Sequence, residues 1–88
     1  MNDVQESLLR HMLGADSRYL KKEWGFRNYF CADNSDECPD NVELIKMESQ
    51  GMVISCKRQE ETIYFATKEG ALAIGFKPYQ LRKVNFHE

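Results

Sequence analysis

The sequence offers little of what usually announces chemistry. It has no long apolar run, so no transmembrane span is expected. Its opening, MNDVQESLLR, is polar and acidic where a secretion signal is basic and then apolar, so none is expected. The cysteines are Cys31, Cys38 and Cys56. An odd count without a signal points to reduced thiols in a cytoplasmic protein. None of the three has a partner two to four residues away, the spacing of tetrahedral metal sites, so no metal is expected even with His11 or His87 added. Neither histidine sits in a nucleophile or acid–base motif. No enzyme activity and no cofactor are therefore expected. Nor is there an excess of one charge. The net charge is −2, which argues against a strong general affinity for nucleic acid or for an anionic membrane.

What is present is enough for one core. The 88 residues are 42% hydrophobic, spread along the whole chain, which sets it apart from a disordered composition. A chain of this length buries roughly 60–65% of the surface of its unfolded form, so residues 1–88 are read as one domain.

The periodicities predict an α+β order of helix, strand, helix, β-hairpin and helix. Residues 3–13 read as a helix, with Asp3 as cap, Glu6 three later, a stripe of Val4, Leu8 and Met12, and Gly14 as the stop. Residues 15–25 read as a loop or a single helical turn. Residues 26–31 read as a short strand with Phe26 and Phe30 on one face, and 32–37 as a polar loop. Pro39 opens a second helix over 39–50, in which Val42 and Ile45 are three apart, as are Leu44 and Met47. Strands at 52–57 and 62–66 flank the turn 58–61. Thr67 caps a short helix over 68–74 that Gly75 ends. The tail 76–88 holds Tyr79, Leu81, Val84 and Phe86, too apolar to hang free, and is expected to pack on the domain or on a second copy as a homodimer. Leu8, Met12, Ile45, Val53 and Leu72 are the expected core, with Phe30 and Phe65 nearby. Strand 26–31 is the candidate third strand beside the hairpin.

Met47-Glu48-Ser49-Gln50-Gly51-Met52-Val53 resembles the end of a winged-helix recognition helix entering its wing. Thr67-Lys68-Glu69-Gly70 resembles the Thr-x-x-Gly that follows the wing. The likeness covers residues 42–75 and implies a winged-helix-like core over about 39–75. Leu8 to Gly14, Phe26 to Phe30, the helix ending at Gly51, and Tyr64 to Thr67 with Gly70 are also similar to a group of small phage and prophage proteins. That likeness implies no particular function. One feature departs from the winged-helix pattern. A DNA-reading helix needs a positioning helix just before it, and an acidic loop and a strand stand there instead.

Charge is segregated. Arg18, Lys21, Lys22 and Arg27 face one acid, Glu23, within 18–27, and Lys77, Arg82 and Lys83 face none within 77–83. These seven are the candidate basic contact patch. Trp24, Phe26 and Tyr29 interleave with them, as stacking surfaces do. Asp33, Asp36, Glu37, Asp40 and Glu43 have no base among them over 32–43. On the second helix Asp40, Glu43 and Glu48 oppose Lys46 alone, which suits a protein partner better than a DNA groove. The expected function is a non-enzymatic binding module acting mainly through protein contact across Asp40, Glu43 and Glu48. A winged-helix DNA-binding regulator is the alternative, and a small metal or Cys/His enzyme the second.

Overall fold

The computed structural model describes residues 1–33 and 39–87. Cys38, Asp36 and Glu37 lie outside the described residues, as does most of the predicted polar loop. Helix α1 (Asp3–Leu13) is followed by a 3-10 turn at Lys21–Glu23, strand β1 (Phe30–Asp33) and helix α2 (Pro39–Ser49). Strands β2 (Val53–Lys57) and β3 (Glu61–Ala66) form the hairpin, and helices α3 (Lys68–Ala73) and α4 (Pro78–Leu81) close the chain. The three strands make one antiparallel sheet in the order β1-β3-β2, with β3 central.

α1 spans the expected residues, but its cap lies one residue earlier than expected. Asn2 Oδ1 accepts from the Gln5 backbone N–H at 2.8 Å, and Gln5 Oε1 accepts from the Asn2 N–H at 3.4 Å. Asparagine caps as well as aspartate, and glutamine in the third position returns the bond, so the pair Asn2–Gln5 displaces the predicted Asp3–Glu6. Gly14 ends the helix at φ 66°, where a Cβ would lie 2.3 Å from Phe26 Cε1. Of the predicted stripe Leu8 and Met12 are buried, with Leu9 and Leu13 beside them; only Val4 is exposed, and Gln5 is buried at that end instead. Gln5 faces α2 because its Nε2 donates to Glu43 Oε2 at 2.8 Å.

α2 corrects the expected core. Ile45 is 57% exposed, while Leu44 and Met47 are fully buried. In α3, Leu72 is likewise exposed and Ala71 is buried in its place. α3 approaches the hairpin through small residues: a Cβ on Gly70 would lie 2.2 Å from the Met52 carbonyl oxygen. Thr67 holds this joint, its Oγ1 accepting from Gly70 N–H at 3.1 Å and donating to the Gly51 carbonyl at 2.6 Å. The Thr-x-x-Gly pattern is therefore a cap plus a close approach.

β1 begins four residues later than predicted. The backbone of 25–29 serves α1 instead: Gly25 N–H donates to Leu13 O at 2.8 Å and Tyr29 N–H to Met12 O at 3.2 Å. These bonds satisfy carbonyls that a helix end leaves open. Phe26 is consequently exposed, and only Phe30 of the expected pair packs against the core. Asn28 replaces the missing ladder. Its Oδ1 accepts from Ala66 N–H at 2.8 Å and its Nδ2 donates to Ala66 O at 3.0 Å. Asn28→Ala strands both buried groups and is expected to cost about 1–3 kcal/mol in a urea unfolding titration.

The sheet has an inner and an outer face. Phe30, Val53, Tyr64 and Ala66 face the helices, and burial raises the pKa of the Tyr64 hydroxyl. Ile63 and Phe65 alternate to the other side, which corrects the placement of Phe65 near the core. Cys31 and Cys56 both pair with Ile63 across the strands and share that outer face. The tail returns to the domain, with Phe76 and Val84 buried and Leu81 and Phe86 against the core, but Tyr79 of the expected set is exposed.

Candidate ligand-binding face

Two grooves open beside each other and share Phe26. The first, about 400 Å³, is lined by Tyr19, Lys22, Glu23, Phe26 and Lys83. The turn after α1 and the tail after α4 meet here, where Lys83 Nζ donates to the Lys22 carbonyl at 2.8 Å. Gly25 permits the approach, since a Cβ there would lie 2.7 Å from Val84 Cγ2. The rings of Tyr19 and Phe26 are 4.9 Å apart.

The second groove, about 570 Å³, runs over the outer face of the sheet. Ile63 and Phe65 of β3 form its floor, with Phe26, Arg27, Asn28 and Tyr29 on one side. Arg58 of the hairpin and Asn85 and His87 of the tail complete it. The Arg27 guanidinium lies 4.3 Å above the Tyr29 ring, and its Nη2 donates to Tyr29 O at 3.1 Å. Among the described residues the buried Arg27 Nε has no hydrogen-bond partner. The His87 ring lies 4.0 Å from that of Phe65, tilted by 31°. Together the grooves present Lys22, Lys83, Arg27 and Arg58 against one carboxylate, Glu23. In a chain of net charge −2 this is a local reversal of sign.

Three of the seven basic residues singled out in the sequence lie at the grooves: Lys22, Lys83 and Arg27. Arg18 is taken up by Asp16, with Nη2 to Oδ2 at 2.9 Å, and that bond holds the Asp16 carboxyl below its ordinary pKa. Lys21 sits 5.9 Å over the Trp24 ring. Lys77 and Arg82 are exposed and line neither groove. Arg58, Phe65, His87 and Tyr19 were missed in the sequence. Alternation along Thr62-Ile63-Tyr64-Phe65-Ala66 would have found Phe65, because only one of two adjacent aromatics reaches the core.

Two of the acidic residues of α2, Glu43 and Glu48, are engaged in hydrogen bonds within the domain, Glu48 while exposed. Glu43 Oε2 accepts from Asn2 Nδ2 at 3.1 Å and from Gln5 Nε2, and these bonds lower its pKa. Glu48 Oε2 accepts from Ser55 Oγ at 2.5 Å. Asp40 sits in the first turn of the helix, partly buried. The exposed side of α2 instead carries Val42 and Ile45.

Among the described residues no three His, Cys, Asp or Glu side chains are grouped to hold a metal ion, and no helix is long and apolar enough to cross a membrane. His11 meets the ring of Phe30 edge-on at 5.5 Å. No protein-family model, curated protein or solved structure matches the chain.

Proposed function

We propose that the protein is a non-enzymatic binding module whose working surface is the pair of grooves and whose partner is a single-stranded nucleic acid. One observation carries this reading: four cations and only one acid line adjoining grooves that also present Tyr19, Phe26, Tyr29 and Phe65. Proteins that hold single strands combine a cationic track for the backbone with aromatic rings on which bases stack. Phe26 is 57% exposed and Tyr29 48% exposed, so both rings offer free surface. Protein contact through Asp40, Glu43 and Glu48 has less support, because Glu43 and Glu48 already accept hydrogen bonds within the domain.

The scaffold reads as winged-helix-like. A helix precedes the hairpin, a Thr-capped helix follows it, and the strand between the first two helices pairs with the returning strand of the hairpin. Neither groove is lined by a residue of α2. The strand-binding surface accordingly lies away from α2, the helix that such a fold would present to a duplex.

Anisotropy titration of a labelled oligothymidylate, beside a duplex of equal length, tests the reading. At low salt the single strand is expected to bind at roughly micromolar to 100 µM Kd and more tightly than the duplex. With four phosphates neutralised, log K falls with log salt at a slope of about −3. Arg27→Ala and Arg58→Ala are each expected to reduce that slope by about 0.7. Absence of binding, or equal affinity for the duplex, overturns the reading. Protein contact through the exposed Val42 and Ile45 would then stand in its place.

A further inference from the structure

We infer that Phe65 is a base-stacking subsite and that His87 occupies it in the free protein, so that a bound strand displaces the His87 ring. The inference rests on the single-strand reading above. The imidazole of His87 lies against Phe65 with ring centres 4.0 Å apart and planes tilted by 31°, a close face contact between two flat rings. A nucleobase is a flat heteroaromatic ring of the same kind and stacks on Phe in the same way. Arg27 and Arg58 line the same groove, where the phosphates flanking such a base would lie.

The tail is built so that His87 alone is released. Val84 is buried, Phe86 packs against the core, and the Asn85 carbonyl accepts from Asn28 Nδ2 at 2.9 Å. These contacts fix the chain up to Phe86. His87 is itself exposed, and its stack on Phe65 is the ring contact that a base would replace. Displacing it leaves the anchored residues in position.

Two substitutions in the full chain test this with the same labelled oligothymidylate. His87→Ala vacates the subsite and is expected to tighten binding by about 2- to 10-fold, the worth of one aromatic pair. His87→Trp covers Phe65 with a larger ring and is expected to weaken binding by a similar factor. Both changes are at an exposed position, so the thermal midpoint should stay within a few degrees. In the free wild type, the His87 ring protons should be shifted upfield by the Phe65 ring current, and the shift should vanish on adding the oligonucleotide. Weaker or unchanged affinity in His87→Ala, or a ring-current shift that persists in the complex, overturns the displacement while the single-strand reading stands. Failure of wild type and both variants to bind overturns the two together.

Discussion

Replacing Leu44 by alanine is expected to lower the unfolding free energy by about 2–5 kcal/mol, while Ile45→Ala changes it by roughly 0.5 kcal/mol or less. Leu44 is fully buried in the cluster that joins α1, α2 and the sheet, whereas Ile45, its neighbour, is 57% exposed. Truncating Leu44 removes its transfer free energy and leaves a cavity lined by a close-packed core. Truncating Ile45 removes methyl groups that already touch water. A domain of 88 residues has a total stability of only about 4–13 kcal/mol, so Leu44→Ala takes a large share of it. Urea titration of the two variants and the wild type, at equal m-value, measures the difference directly. Equal midpoints for the two variants would mean that α2 is rotated from the orientation described here.

That pair also marks where the fold was legible and where it was not. α2 carries apolar residues at 42, 44, 45 and 47, two interleaved pairs with the same spacing. Periodicity located the helix but left two rotations equally good. The choice between them depends on polar contact with another element: Gln5 and Asn2 of the first helix both donate to Glu43, which turns Leu44 and Met47 to the core. No single-helix pattern contains that bond. The same holds for β1: of its predicted residues Tyr29 donates its N–H to Met12 O at the end of α1, 17 positions earlier in the chain, and Phe26 donates to Glu23 O. By contrast, Gly14, the hairpin and the Thr67–Gly70 joint are set by local φ angles, turn length and capping, and these were readable. Of the site, Lys22 and Arg27 were visible as charge, and Phe26 and Tyr29 as interleaved rings. Their meeting with Lys83 was not, because it depends on Gly25 admitting Val84 from the far end of the chain. Arg58 lines the sheet-face groove and, with Glu60 and Glu61, also lines a further groove at the hairpin tip, so its place by Phe65 depends on the fold of the hairpin.

Phe26→Ala is expected to weaken single-strand binding by about 5- to 150-fold while leaving its salt slope unchanged. Phe26 is the residue common to both grooves, and more than half of it is open to solvent. A base stacked on a protein aromatic ring is worth about 1–3 kcal/mol, which gives that range. The ring carries no charge, so its loss releases no counterions and log K should shift equally at every salt concentration. The arginines behave in the opposite way. Arg27→Ala and Arg58→Ala change the slope, so their effect shrinks as salt rises. Two controls separate groove from surface. Tyr79→Ala removes a ring that is 65% exposed but lines neither groove, and should leave affinity unaltered. Stability of Phe26→Ala should fall little, because the ring meets Tyr19 and the Gly14 turn from outside the core cluster. If Phe26→Ala binds as tightly as the wild type, stacking is not part of recognition and the grooves bind by charge alone. If Tyr79→Ala loses as much, the strand lies elsewhere on the molecule.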